Sequence, residues 1–403
     1  MIPFAEAFRI WLKIGLLGFG GPAGQIALMH RVLVDEKKWV DEARFLHALN
    51  FCMLLPGPEA QKLATYIGWL LHGTRGGLVA GILFVLPGAF VMLAVSLLYV
   101  LGQGIPVVEG ALFGIKAAVL VIVVEALIRI GRRALKTRLL VALAALAFIG
   151  IFFLELPFPL IVVLAAAAGF FTTPTKGTVA PSTPVPGRWR RAALTVGIGL
   201  VLWWTPVALA ALMLGPQHVM VDIGLFFSKL ATVSFGGAYA LLAYMAQQAV
   251  ENYGWMSAPE MVDGLGFAET LPGPLIKVTQ FVGFLGAWRN PEPFSPLGAA
   301  VLGSALTTWV TFVPPMLLIF AGAPFVEQLR GNSRLSGALA AITAAVVGVI
   351  LNLTVWFAMH VLVDLRSVAL ALVAAFLAFV LRRGLIELVL IMAGLGIAVR
   401  LLS

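Results

Sequence analysis

Four interruptions carry the residues with the most chemical potential in this chain: Gly20-Gly21-Pro22, Pro56-Gly57-Pro58, Gly236-Gly237 and Pro272-Gly273-Pro274. Each lies inside an apolar stretch (8–33, 43–71, 226–250 and 261–288), where glycine and proline remove helical hydrogen bonds or fix non-helical dihedrals. Pro22 and Pro58 suit the first turn of a following helix, so free N–H groups should point at the break, an arrangement that favours anions. Non-helical backbone at membrane depth is tolerated only where protein buries it or water reaches it. A single such motif is usually a packing kink, but four at matching positions point to a shared site.

Ionisable residues flank these breaks. Lys13 and Lys229 each precede a glycine break by one to two helical turns and are candidate cations for an anion, with snorkelling to the membrane face as the competing reading. Glu59 and Glu269 sit beside the Pro-Gly-Pro triplets as candidates for proton coupling; Glu59 beside Lys62 also fits a dipole-stabilised helix start. Lys116 lies midway along 107–128 with Glu125 nine residues on, too far for a helical pair, so a partner elsewhere is implied for it; both are coupling candidates. Gln25, Gln61, Ser234 and Thr270 are candidate hydrogen-bond donors to oxyanion oxygens, although such groups in membrane helices more often satisfy nearby backbone. With these, the substrate-binding set comprises Lys13, Gly20, Gly21, Pro22, Gln25, Pro56, Gly57, Pro58, Gln61, Lys229, Ser234, Gly236, Gly237, Thr270, Pro272, Gly273 and Pro274.

Other chemistries find no support. There is no phosphate loop, no H-E-x-x-H pair and no metal-ligand spacing among the histidines, so neither a metal nor another cofactor is expected. Cys52 is the only cysteine, which excludes intrachain disulfides. The expectation is a protein that is not an enzyme, with a membrane-embedded enzyme of dispersed catalytic residues as the alternative.

The elements that must position these residues are membrane helices. The chain of 403 residues is 61% hydrophobic and 11% charged, against about 25% charged in a soluble domain. Its formal charge of +9 sits in short runs between apolar stretches, the pattern of cytoplasmic loops rather than of nucleic-acid binding. No removable signal peptide is read at the N-terminus. Clear spans, at about 20 residues each, are 78–100, 107–128, 139–156, 192–214, 296–321, 335–360 and 368–381, with shorter ones at 158–171 and 385–401.

A shift of 216 residues lays Lys13 to Pro58 on Lys229 to Pro274 without a gap, matching Phe19/Phe235, Gly20/Gly236, Gly21/Gly237, Trp39/Trp255 and both triplets; further on, a shift of 227 pairs Pro87 with Pro314, Lys116 with Thr343 and Glu125 with Asn352. The organisation expected is a first repeat (1–171), a cytoplasmic linker (172–191), a connecting transmembrane helix (192–214) and a second repeat (215–403). One extra helix between two even sets makes the repeats inverted. The basic loops 129–138, 172–191, 330–334 and 382–383 then all fall inside, leaving a cytoplasmic N-terminus in the inner membrane. Lys37 and Lys38 favour re-entrant hairpins over full crossings for the broken segments. The fold class is therefore an all-α polytopic membrane protein with two inverted-topology repeats, broken or re-entrant helices and one connecting helix.

These residues resemble the chromate ion transporter (CHR) family, long-chain two-domain type, over nearly the full length. The resemblance rests on Phe19-Gly20-Gly21-Pro22, Asp35 to Trp39, Leu55 to Gln61 with Thr65 to Gly68, Leu86-Pro87, Gly114 to Ala118, Ser234 to Gly237 and Leu271 to Pro274. It implies export of chromate, driven by an ion gradient and conferring chromate resistance, with some relatives handling sulfate. Gln25 stands where many members have His. The partners expected are a chromate or sulfate dianion, the lipid bilayer and protons, with a homodimer open; a sulfate or other oxyanion transporter and a passive anion channel are the alternatives. Replacing Lys13 or Lys229 with Ala is expected to weaken dianion transport without affecting membrane insertion, checked by uptake into proteoliposomes.

Overall fold

The computed structural model describes residues 2–174, 188–235, 238–323 and 333–402. It is all-helical among these residues, and the chain order follows the repeat. In the first half, α1 (Phe4–Leu17), α2 (Gly21–His30) and α3 (Glu42–Leu54) lead to α4 (Glu59–Leu101), α5 (Pro106–Ala134), α6 (Arg138–Phe152) and α7 (Phe158–Thr172). The connecting helix is α8 (Arg188–Leu214). The second half runs α9 (Val219–Thr232), α10 (Ala238–Gln247), α11 (Ala258–Thr270), α12 (Val278–Arg289), α13 (Pro296–Gly322), α14 (Ser333–Val361), α15 (Leu365–Ala375) and α16 (Leu385–Leu401). Among the described residues, five helices, α4, α5, α8, α13 and α14, are long and apolar enough to cross a membrane. Gly236, Gly237 and most of the 172–191 linker lie outside the described residues.

All three described breaks interrupt helices where glycine and proline require it. Helix α1 stops at Leu17 and α2 restarts at Gly21, α3 stops at Leu54 and α4 starts at Glu59, and α11 stops at Thr270 before a 3₁₀ turn, Leu275–Lys277, leads into α12.

A further reversal hides inside α4. A straight helix of its 43 residues would be roughly 65 Å long, twice the hydrocarbon thickness. Instead, His72 (φ −139°, ψ 27°) and Gly73 (φ 59°, ψ −152°) leave helical geometry. A Cβ on Gly81 would lie 2.5 Å from the Thr65 hydroxyl oxygen, whereas residues that far apart in a straight helix are separated by roughly 24 Å. The arms 59–71 and 74–101 are therefore antiparallel neighbours, as α12 and α13 are in the second half. Glycines permit both contacts: a Cβ on Gly68 or Gly76 would strike the other's carbonyl oxygen, and one on Gly303 would lie 2.7 Å from that of Gly283.

The same small-residue packing joins the outer helices, since without a hydrophobic drive in lipid, close backbone approach supplies the contact energy. Gly110 and Gly114 on α5 meet Gly396 on α16, and α14 seats Gly337 and Gly348 against Gly169 of α7 and Ala144 of α6. Beyond α2, a charged corner closes around His30, whose Nε2 lies 2.5 Å from Glu42 Oε2 and whose Nδ1 lies 3.4 Å from Asp35 Oδ2.

Gly73 has room for a methyl group but a backbone that strains any other residue, so Gly73→Ala should cost about 1–3 kcal/mol. Gly68→Ala should cost a similar ~1–3 kcal/mol through steric overlap; thermal unfolding in detergent checks both. At the corner, the hydrogen bond that the His30 ring donates to the Glu42 carboxylate raises the His30 pKa above its usual 6.5. The stability this tie adds is full below that value and is lost as pH rises through the raised pKa. Hydrogen exchange of residues 31–42 should therefore speed up across that window in the parent and not in His30→Gln.

Candidate functional site

The breaks of one half dock on the breaks of the other. Gly57 N–H donates to the Ser234 carbonyl at 3.1 Å, and Gly273 N–H donates to the Gly18 carbonyl at 2.9 Å. Under the 216-residue shift these are the same contact made twice, once in each direction. Gln25 reinforces one of them, its Nε2 donating to Gly18 O (3.1 Å) and Gly273 O (2.7 Å).

Glycine is required at these joints for two reasons. Gly20, Gly57 and Gly273 have φ of 83°, 106° and 96°, a left-handed region costly for other residues. There is also no space: a Cβ on Gly57 would sit 2.5 Å from the Pro315 ring, and one on Gly273 would lie 3.3 Å from the Gly88 backbone. Gly88 and Pro315 are themselves equivalent under the 227-residue shift, so each triplet is wedged against the matching point of the opposite half.

Between the joints lies a cavity of about 30 Å³, lined by Pro22, Gln25, Pro58, Glu59, Ser234 and Pro274, among others. That volume holds about two waters. The first residues of α2 and α4, Ala238 of α10, and Leu275 and Ile276 at the start of the turn into α12 all border it, so helix N-termini from both halves converge there. Each presents unsatisfied N–H groups and a partial positive charge of about half a unit.

The carbonyl ends of α3 and α11 face the same breaks, and two buried lysines neutralise them. Lys62 Nζ donates to Leu55 O. Lys277 Nζ donates to the carbonyls of Leu271 (2.6 Å), Pro272 (2.8 Å) and Gly273 (3.3 Å). Both lysines are 1% exposed. They satisfy C=O groups that would otherwise compete with an anion for the neighbouring N–H groups.

These lysines were not singled out from sequence, and the reason is geometric. The repeat alignment pairs Lys62 with Val278 and Lys277 with Gln61, so neither registers as an identity. The second-half helix begins with a 3₁₀ turn of three residues per turn, which brings the third residue after Pro274 to the place that the fourth after Pro58 occupies. A lysine in the first turn after a Pro-Gly-Pro triplet was the available signal.

The remaining sequence candidates fall as follows. Lys13 and Lys229 are exposed on α1 and α9, outside the cavity lining, with Lys229 Nζ 5.6 Å from the Tyr244 ring centroid. Gly21 and Pro56 are half-buried at the joints. Ser234 and Thr270 hydroxyls donate to backbone within their own segments, at 2.8 Å to Ala231 O and 2.9 Å to Gly266 O. Gln61 donates to Phe312 O at 3.0 Å and borders a larger apolar groove instead. Glu269 is buried and accepts from Tyr239 Oη at 2.6 Å. Glu125 pairs with Arg129 at the surface (3.4 Å). Lys116 does find a distant partner, Asp263 of α11, at 3.4 Å. Gly236 and Gly237 lie outside the described residues.

The sequence model of the chromate transporter family matches residues 5–170 and 221–399, one match over each half. The chain belongs to the chromate transporter family. It is 33% identical over 362 residues to a chromate transport protein of Pseudomonas aeruginosa, covering 86% of this chain and 79% of that one. A probable chromate transport protein of Synechococcus elongatus is 28% identical over 372 residues (91% and 87% covered), and a chromate transport protein of Cupriavidus metallidurans is 27% identical over 365 (90% and 84%). No solved structure gives a significant match. This member of the chromate transporter family is thus a multi-pass membrane transporter rather than an enzyme.

Lys277→Met removes the donor to three carbonyls and should lower stability by about 3 kcal/mol, whereas Lys277→Arg should recover part of it. Unfolding temperatures of the purified variants check this.

Proposed function

We infer that the chain is a secondary transporter that exports chromate across the inner membrane by alternating access and so confers resistance. The carrying observation is the pair of reciprocal joints, Gly57–Ser234 and Gly273–Gly18, around a cavity bordered by helix N-termini. A contact made once in each direction is what a two-fold relation between halves produces. Together with the parity of the segments it supports inverted repeats whose broken helices re-enter, and basic loops support a cytoplasmic N-terminus.

Chromate is a tetrahedral dianion, and the backbone N–H groups at the starts of α2, α4, α10 and the turn into α12 suit it, with Gln25, Lys62 and Lys277 occupying the competing carbonyls. The cavity of about 30 Å³ must widen to admit it. Glu59 lines this cavity and is the better placed of the two break-flanking carboxylates to exchange a proton as the dianion arrives or leaves. Exposed Lys13 and Lys229 would then steer dianions toward the breaks rather than hold them. Sulfate presents the same four oxygens and charge, so competition between the two is part of the reading.

Proteoliposomes containing the protein should accumulate labelled chromate against its gradient when a proton gradient is imposed, with excess sulfate reducing the rate. Uptake that only equilibrates would instead indicate a passive anion channel. Gln25→Leu and Lys62→Met should each lower the rate by about tenfold or more, because each frees backbone carbonyls beside the cavity; parent-like rates in both would remove the cavity from the transport path.

A further inference from the structure

The two halves are closed to different degrees, and one ion pair with a buried carboxylate sits where they differ. Helices α3 and α11 have equal lengths and coincide under the 216-residue shift, yet α3 buries 4 residues and α11 buries 10. Helix α11 packs against α4, α5, α12, α14 and α16, while α3 packs chiefly against α4. Likewise α10 packs on α14, whereas its counterpart α2 rests on α1 and α4.

At the centre of the closed contact, Asp263 of α11 is 1% exposed and lies 3.4 Å from Lys116 Nζ of α5. Tyr99 of α4 donates to the same carboxylate oxygen at 3.0 Å, and its ring packs edge-on against Phe267 of α11 and Phe281 of α12. The other oxygen, Oδ1, is buried with no partner. The carboxylate is buried while Lys116 is partly exposed, so the pair adds little net stability, yet removing Lys116 leaves a buried charge stranded. That combination suits a contact that must break and re-form. The equivalent positions, on α3 and α14, are His47 and Thr343, and the Thr343 hydroxyl is engaged within its own helix (2.8 Å to Leu339 O). No ion pair is available there.

We propose that Lys116, Asp263 and Tyr99 form the gate lock that holds α11 against α5 and closes one face of the transporter, and that each transport cycle requires this lock to part. The proposal rests on the alternating-access reading and, with the orientation above, makes the described state inward-facing. Asp263 is a positioning residue in this scheme and does not touch the dianion.

The test places one cysteine at the closed contact. Val262 is fully buried beside Asp263, one turn before Gly266, where an added Cβ would meet Ile115 and Val119 of α5. Val262→Cys in a Cys52→Ala background should resist a membrane-impermeant thiol reagent in vesicles, and adding Asp263→Asn should speed labelling by about tenfold or more. The double variant Lys116→Met with Asp263→Leu should keep that cysteine protected while chromate exchange falls by about tenfold or more, because an apolar contact holds the gate shut. Unchanged labelling in a folded Asp263→Asn protein, or parent-like exchange in the double variant, would overturn the proposal. If Asp263→Asn does not fold, the double variant decides alone: a purely structural pair predicts restored exchange, a lock predicts its loss. Labelling needs no substrate, so an error about the cargo would appear as parent protein without chromate flux while the labelling pattern stands.

Discussion

A bilayer offers no hydrogen bonds, and that single constraint organises this protein. Wherever the backbone unwinds inside it, each freed N–H and C=O must find a partner within the chain. Here the freed groups are sorted by sign. Carbonyls at the ends of α3 and α11 are taken by Lys62 and Lys277, those of Gly18 and Ser234 by amides of the opposite half, and Gln25 shares two. What stays uncommitted around the cavity is mainly N–H, at the starts of α2, α4, α10 and the turn into α12. Satisfying most acceptors first leaves donors at these helix starts, with Gln25 Oε1 an acceptor still unpartnered.

Each half supplies what the other lacks. A single set of breaks would leave its triplet without a groove and its glycine joint without a donor. The reciprocal seating of Gly57 on Pro315 and Gly273 beside Gly88 makes the site a property of the pair. Charge is distributed less evenly than backbone: the Lys116–Asp263 pair, which joins the two halves, has no counterpart among the described residues of α3 and α14, and the Glu260–Arg289 bridge (2.7 Å) that ties α11 to α12 exists in the second half only. A repeat whose backbone contacts are matched and whose charged contacts are not can hold its two faces at unequal strength.

Much of the architecture was legible before folding. Helical breaks appear at Gly20–Gly21 and at both triplets because glycine and proline act locally, and the 216-residue shift announced which breaks would correspond. The implied distant partner of Lys116 was also legible, since a mid-span lysine nine residues from its nearest carboxylate has no local alternative. Lys62 and Lys277 escaped notice because their equivalence depends on a 3₁₀ turn, and a difference of one residue hides it from a gapless alignment. Lys13 and Lys229 drew attention because they do align, but alignment carries no information about which way a side chain faces, and both prove exposed.

The sequence by itself therefore determined the class of solvent, the helical content, the places where helices must stop and the pairing of one half with the other. These depend on composition and on neighbours along the chain. Only the tertiary structure decided that opposite breaks bond to one another, that two unaligned lysines cap the freed carbonyls, and that α11 is buried on most sides while α3 is not. Those outcomes depend on which distant backbone groups meet, and a linear order of residues does not specify a meeting until the helices have packed.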